Sequence, residues 1–249
     1  MKIYYEEFGY DYDRYAFGYR VWGIPESDTD IQNLYERGFL PYSVPVVNEN
    51  SKSNSFAHEL HNECRYYLCR STRVSVKDFV PSSENRRVQR KVQEFLGVCT
   101  SQIVRAKEVL QDSQVLEFIL EYFHVKHGEE VMTSERLEYI LTYSKQVRVH
   151  KYYSENVLIG VVITQETEKM IHYWFSAYSQ QVPKQAGLGL YLMIATLESA
   201  RQYGFEYVYL GTGYGASAAY KANFDQIEHF DGKGWVKGVK LFKEILKNP

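Results

Sequence analysis

The chain has 249 residues, 45% hydrophobic and 24% charged, with a formal net charge of −2; it is long enough to bury one good core or two small ones sharing an interface, and its composition is ordinary for a soluble globular protein. The near-neutral balance excludes global adhesion to nucleic acid, so any RNA contact must come from a local patch. Three cysteines, Cys64, Cys69 and Cys99, are too few for a disulfide framework, no apolar run is long enough to cross a bilayer, and Met1-Lys2 opens no signal peptide, so a reducing cytoplasm and no membrane partner are expected.

No internal repeat appears at solenoid spacing. Residues 1–24 are rich in Tyr and Gly and read as irregular. Ile31 to Arg37 reads as a short helix stopped by Gly38, NENSKSNS (Asn48 to Ser55) as a polar loop, and Phe56 to Glu63 as a further helical turn. His58, His61 and Cys64 then share one helical face with Cys69 further on. These residue types suit zinc, but the spacing matches no standard site and no metal is called for. Arg65 to Val76 alternates like a strand.

Residues 70–91, RSTRVSVKDFVPSSENRRVQRK, carry seven basic residues against Asp78 and Glu84, a concentrated positive patch in an otherwise acidic chain. Pro81 interrupts regular structure, Ser82 or Ser83 stands at a helix N-cap, and Glu84 occupies the favourable first turn. A helix from there to about Leu96 gathers Arg86, Arg87, Arg90 and Lys91 on one face and Val88, Val92, Phe95 and Leu96 on the other. That pattern presents guanidinium forks to a polyanion, although an ordinary solvated basic face has the same pattern.

The second half is more regular. Helices are predicted at Val115 to Phe123, capped by Ser113, and at Glu135 to Tyr143, capped by Thr133 or Ser134. Three consecutive strands follow at Val147 to Tyr153, Val157 to Gln165 and Met170 to Tyr178. Then come the loop KQAGLG (Lys184 to Gly189), an amphipathic helix Leu188 to Tyr203, a strand Phe205 to Leu210, a helical stretch Tyr214 to Asn223, and a terminal helix near Lys240 to Lys247. Glycines at the start of a helix let backbone N–H groups approach an anion.

This order resembles the core of GNAT acyltransferases, and KQAGLG resembles their coenzyme A pyrophosphate loop, with Lys184 in the Arg/Gln place and Gly187 and Gly189 matching. Three further segments are similar to the aminoacyl-tRNA–protein transferases, the arginyl/leucyl-transferase family. They are LYERGFLPY (Leu34 to Tyr42); Tyr66 to Lys91 with Arg73-Val74, Phe79 and Ser82-x-x-x-Arg86-Arg87; and Leu188-Gly189 with Tyr209-Leu210-Gly211, Tyr220-Lys221-Ala222-x-Phe224 and Trp235. Thr212 and Gly213 depart from the aromatic residues usual after Leu-Gly, and the family's frequent Cys-x-x-Cys pair is missing.

The resemblance implies an α+β fold: a GNAT-like mixed sheet flanked by helices (111–249), with a Tyr-rich N-terminal α/β region bearing the basic segment (1–110) packed on it. It implies transfer of arginine or leucine from aminoacyl-tRNA to the N-terminal α-amine of a protein or peptide, without a cofactor. Tyr220 and Lys221 are the catalytic candidates; Arg86, Arg87, Arg90 and Lys91 would contact tRNA; Arg73, Tyr42, Leu210, Gly211 and Trp235 would bind substrate. Tyr220 would protonate the leaving oxygen, Lys221 would hold a phosphate or carboxylate, and backbone N–H groups near Phe175 to Tyr178 would meet the oxyanion. The family's preference for acidic N-termini makes Arg73 the expected carboxylate fork. A coenzyme A-dependent N-acyltransferase is the alternative that KQAGLG supports, and a non-catalytic RNA- or protein-binding module is the third.

Overall fold

The computed structural model describes residues 1–11, 16–44 and 64–247; the expected loop at 48–55, the helical turn at 56–63, and His58 and His61 lie outside them. The Tyr-rich opening is regular, contrary to expectation. Strands β1 (Lys2–Asp11) and β2 (Ala16–Ile24) form an antiparallel hairpin on which Tyr4 stacks against Trp22 with ring centroids 4.2 Å apart. Aromatic side chains suit a pleated, half-buried surface, and this propensity outweighs the interspersed glycines. Helix α1 (Asp28–Glu36) starts at Ser27, whose hydroxyl accepts from the Asp30 N–H. Short strands β3 (Phe39–Pro41) and β4 (Tyr66–Leu68) complete a four-stranded sheet in the order β1-β2-β4-β3.

The predicted strand Arg65–Val76 is two strands. The chain leaves the small sheet after Leu68 and enters a second sheet as β5 (Ser71–Ser75), whose residues are all buried because β10 and β11 hydrogen-bond it from both sides. Then follow α2 (Ser83–Leu96), β6 (Cys99–Arg105), α3 (Ala106–Val109), α4 (Ser113–His127), α5 (Ser134–Thr142), β7 (Val147–Ser154), β8 (Val157–Glu166), β9 (Met170–Tyr178), α6 (Leu188–Gln202), β10 (Tyr207–Thr212), a 3-10 segment (Ala216–Asn223), β11 (Ile227–Phe230), β12 (Trp235–Lys237) and α7 (Val239–Lys247). The large sheet runs β12-β11-β5-β10-β9-β8-β7-β6. β5 and β6 both precede residue 110 yet belong to the sheet built mainly from later residues.

β7, β8 and β9 form an antiparallel meander. Glu155 and Asn156, both at positive φ, close its first hairpin in the two-residue form that matches strand twist. Along β8, Val161 and Ile163 face one core and Val162 faces the other, so this strand is buried on both sides. One core lies under the small sheet, α1 and α3–α5, and joins Leu34, Tyr35, Phe39 and Tyr66 to Val149, Met170 and Tyr209. The other lies under α2, α6 and α7 and joins Val88 and Val92 to Leu192, Leu197, Val208 and Phe242. Each such side chain contributes about 1.5–3 kcal/mol on burial, so the N-terminal region is fastened to the large sheet by a shared core. The fold is the mixed sheet flanked by helices that the sequence implied.

Candidate active site

β9 and β10 run parallel, but their pairing ends at Tyr209 opposite His172. Beyond it β9 continues to Tyr178 with β8 as its partner, while β10 bulges at Gly211, where φ is +82°. A gap therefore opens between Trp174–Tyr178 and Leu210–Thr212. Gly211 accommodates this turn because it has no Cβ to clash at positive φ, and Leu210 is buried in the core behind it.

Lys221 enters this region from the 3-10 segment. Its side chain is buried, its ammonium donates to the Thr212 carbonyl, and its Nζ lies 3.7 Å from where a Cβ on Gly211 would stand. No carboxylate comes within ion-pair distance of it among the described residues. Burial lowers its pKa to about 7, with the Cys69 thiol opposing, so a large fraction of this amine is unprotonated at neutral pH. Tyr220 beside it is 46% exposed; desolvation and then the Tyr178 hydroxyl raise its pKa, so it keeps its proton.

The floor is a buried polar network. The Tyr35 hydroxyl donates to Gln165 Oε1 at 2.7 Å and lies 2.9 Å from His172 Nδ1; Tyr66 donates to the same Oε1 at 2.9 Å; Gln165 Nε2 donates to Ser144 Oγ at 3.0 Å. Tyr35 has one proton and gives it to Gln165, so this network assigns the proton to His172 Nδ1. Burial first and the Lys221 charge second bring the His172 pKa down to about 3, which keeps the ring neutral. The mouth is aromatic: Tyr122 and Tyr178 have ring centroids 4.7 Å apart, as have Trp174 and Phe175 at 5.6 Å.

Arg73 and Trp235 belong to a closed cluster on the far side of Tyr209. The Arg73 guanidinium lies 3.8 Å from the Tyr207 ring centroid and 3.9 Å from that of Trp235, its Nε donates to Glu228 at 2.8 Å, and Nη1 donates to the Tyr209 hydroxyl at 3.3 Å. Arg73 is thus ion-paired with Glu228. Trp235 donates its indole N–H to the Glu36 carbonyl at 2.7 Å. Tyr42 follows β3 with its ring 5.0 Å from that of Tyr67, whose burial raises its pKa.

Helix α2 has the expected cap: Ser82 Oγ accepts from the Asn85 N–H at 3.1 Å and Asn85 Oδ1 accepts from the Ser82 N–H at 3.0 Å, a reciprocal box. Arg86, Arg87 and Arg90 are exposed and Lys91 is half-buried, while Val88 and Val92 pack inward. Phe95 is a correction: it is 53% exposed, because the apolar stripe runs from Val88 and Val92 to Leu96, which packs on the core in its place. Arg87 holds Glu84 through Nε at 2.6 Å and through Nη2. The helix start is tied to the 3-10 segment that carries Tyr220 and Lys221, since Ser82 Oγ and Asn85 Nδ2 both donate to the Asn223 carbonyl. In KQAGLG, residues Lys184–Ala186 form a 3-10 turn, Gly187 is left-handed, and α6 begins with no side-chain cap. The Tyr178 ring covers the first turn, 2.8 Å from where a Cβ on Gly189 would stand.

The structure thus gathers Lys221, Tyr220, Leu210 and Gly211 at the gap and places Arg73 and Trp235 apart. His172 and Cys69 were missed; a histidine inside the apolar strand MIHYWFSAY was the available signal for the first. No cluster of metal-ligating side chains occurs among the described residues, and none of their helices is long and apolar enough to cross a membrane.

The fold and the parallel strands that part around a helix N-terminus define an acyltransferase class. The acetyltransferase (GNAT) domain family matches residues 85–222, more than half of the chain, and the chain belongs to it. Among curated proteins it is similar to the aspartate/glutamate leucyltransferase of Ruegeria sp. (strain TM1040), 28% identical over 175 residues, 67% of this chain and 61% of the relative. It is also similar to that of Methylobacterium nodulans, 28% identical over 193 residues, 70% of this chain and 73% of the relative. Both relatives are leucyltransferases by name, in line with the arginyl/leucyl-transferase family that the sequence motifs resemble. The chain spans less than two thirds of the first relative's length. Among solved structures it is similar to L-PGS from Bacillus licheniformis, at a TM-score of 0.41 and 12% identity over 74% of this chain and 49% of that one.

Proposed function

We propose that the protein is a tRNA-dependent aminoacyltransferase that moves leucine from its charged tRNA to the N-terminal α-amine of a protein or peptide. The observation that carries this reading is Lys221, a buried amine with no counter-ion among the described residues, at the opening between β9 and β10. The named relatives support the donor class. Leucine is favoured over arginine because Lys221 has no carboxylate within ion-pair distance among the described residues, and an incoming guanidinium would find no acid beside it there.

In this reading the neutral α-amine attacks the aminoacyl carbonyl carbon. The new C–N bond forms, the ester C–O bond breaks, and the 3′ hydroxyl of the tRNA leaves. Lys221 in its unprotonated form takes the proton from the attacking nitrogen. Tyr220 gives one to the departing oxygen and is reprotonated from Lys221, so the proton lost by nitrogen ends on oxygen. The α-amine has an ordinary pKa of about 7.7–8.0, so positioning carries much of the acceleration. Unpaired backbone N–H groups of β9 past His172 would meet the oxyanion. Arg86, Arg87, Arg90 and Lys91 would hold tRNA phosphates, on a helix anchored to the segment that carries Tyr220 and Lys221. Tyr42 and Gly211 would line the aminoacyl pocket, Leu210 would back it from the core behind Gly211, and Arg73 and Trp235 would support its wall through Tyr209.

KQAGLG and its uncapped helix favour coenzyme A as the second reading. The deciding experiment mixes the protein with separately charged leucyl- and arginyl-tRNA, or with acetyl-coenzyme A, and peptides of defined first residue. Labelled leucine is expected on the free α-amine, with N-acetylated peptide inert and no calorimetric binding of acetyl-coenzyme A at micromolar levels. Peptide acetylation without transfer from tRNA would replace this reading by the second.

A further inference from the structure

A cavity lies at the end of the large sheet away from the gap. The gap opens along Trp174–Tyr178, where β9 finishes; the cavity lies where β6 and β8 end and β7 and β9 begin, and Asp28, Thr29 and Gln32 of α1 line it as well. Its volume is about 770 Å³, within the range of small-molecule sites, about 300–1,000 Å³. Buried Ala106, Leu141 and Val147 supply an apolar floor. The transfer mechanism uses none of its residues.

Five cations line this cavity, Arg105, Lys107, Lys145, Arg148 and Lys169, against three acids, Asp28, Glu166 and Glu168, in a chain of net charge −2. Two of the cations are answered: Lys145 holds Asp28 at 2.7 Å and Lys169 holds Glu206 at 3.5 Å. Glu166 is engaged elsewhere, its Oε1 accepting from the Thr164 hydroxyl and lying 2.8 Å from His150 Nε2. Arg105, Lys107 and Arg148 have no acid within ion-pair distance among the described residues. Arg105 and Arg148 stand directly opposite each other in the β6–β7 register. Directly opposed side chains share a face, and like charges so placed destabilise a sheet. Arg148 Nη1 donates to the Lys145 and Val147 carbonyls at 2.6 and 3.0 Å, which steadies the guanidinium and leaves Nε and Nη2 for another acceptor. An anion between the two arginines would remove their repulsion and gain charge-assisted bonds. A single carboxylate answers one of the three unpaired cations, whereas a chain of phosphates answers all three and matches the guanidinium forks.

We propose that this cavity binds a small polyphosphate-bearing ligand, of the size and charge of a nucleoside di- or triphosphate, with its phosphates on Arg105, Lys107 and Arg148 and its organic part over Ala106, Leu141 and Val147. The site shares no residue with the gap, with KQAGLG or with the basic face of α2, and it does not depend on the proposed transfer reaction. Its concave form suits a small ligand rather than the convex backbone of a duplex.

Calorimetric titration of the full chain with ADP, ATP, tripolyphosphate and adenosine tests this site. ADP and ATP should bind at micromolar levels and raise the melting temperature, and adenosine should not bind. Tripolyphosphate separates the two sources of the ligand: binding as tight as that of ATP supports the site with an inorganic chain as its ligand, and weaker binding supports it with a nucleotide. Arg105→Gln combined with Arg148→Gln should weaken ATP binding by about a hundredfold or more. The melt of the empty double variant should stay the same or rise, because the facing charges are gone. Lys107→Ala changes an exposed position and should cost about tenfold in ATP affinity, which keeps the test alive should the double variant fold poorly. Replacing Arg86 and Arg87 on α2 by Gln should leave ATP binding intact. Several results overturn the inference: no ATP binding at millimolar concentration, undiminished binding in the folded Arg105 and Arg148 double variant, or loss of binding in the α2 variant alone. Displacement of ATP by a triaspartate peptide as readily as by tripolyphosphate would make the cavity a carboxylate site, and displacement by equimolar uncharged tRNA would assign it to RNA; either overturns it too.

Discussion

Two cations flank β10, and the fold treats them oppositely. Arg73 lies across from Tyr209 where the strands are fully paired; two aromatic rings enclose it and Glu228 neutralises it. Lys221 stands beside Thr212, where the strands have parted, with no acid in reach among the described residues. Burying a charge costs several kcal/mol unless a partner answers it. The closed end supplies that partner and gains a fixed wall. The open end leaves the cost in place, which a protein sustains where the charge has a chemical task.

Lys221→Met is the largest expected blow to function. General acid–base contributions run to about 10²–10⁴-fold, so transfer should fall by that order while the protein stays as stable or becomes more so. The pH dependence carries the sign. Its folded pKa, about 7, lies below the ordinary value of 10.5, so between those values the unfolded chain holds a proton that the folded chain does not. Stability from this group is therefore lowest below about pH 7 and rises with pH up to about 10.5. Urea unfolding at pH 6.5 and 9.5 should show that rise in the wild type and a flatter response in the variant. A variant that simply unfolds would place Lys221 with Arg73 as a structural charge.

Glu228→Gln tests the other side. It strands a buried guanidinium between Tyr207 and Trp235, and removing one partner of such a pair costs about 3–5 kcal/mol. Denaturant midpoints should fall accordingly, whereas replacing both partners, Arg73→Met with Glu228→Leu, should recover most of the loss. If Glu228→Gln left stability intact and altered peptide selectivity, Arg73 would return as the carboxylate-binding residue.

What the sequence could show follows from the same division. Periodicity located β7, β8, β9, α6 and the turns between them, because their side chains meet one core or two with a regular repeat. The helix start at Ser82 was legible from local chemistry alone. β4 and β5 were merged, since the switch between sheets at Cys69–Arg70 carries no Pro or Gly. The β1–β2 hairpin was masked by its glycines. Exposed charges announce themselves by clustering, so α2 stood out. Single cations such as Lys221 and Arg73 stand alone in the sequence, and only the acids around each in three dimensions distinguish them. Lys221 was found through a motif, but its solitude could not be.

The smallest effects belong on α2, where charge is solvated. Replacing Arg86 and Arg87 by Gln should leave the melt unchanged and weaken tRNA binding, lowering the slope of log affinity against log salt by up to about one per lost phosphate contact. An unchanged slope in the folded double variant would assign this face to solvent. Glu84→Gln sharpens the point in the opposite direction. Glu84 now engages Arg87 through both carboxylate oxygens, so a phosphate approaching Arg87 must displace or share that partner against a like charge. Neutralising Glu84 removes both obstacles. The exposed pair itself adds little to stability, and the helix keeps its Ser82–Asn85 box when Glu84 loses its charge in the first turn. Binding should therefore tighten by about two- to threefold at low salt, and the gain should fade above the ionic strength at which surface charges are screened. A gain that persisted at high salt would mean that Glu84 shapes the helix instead of competing for Arg87.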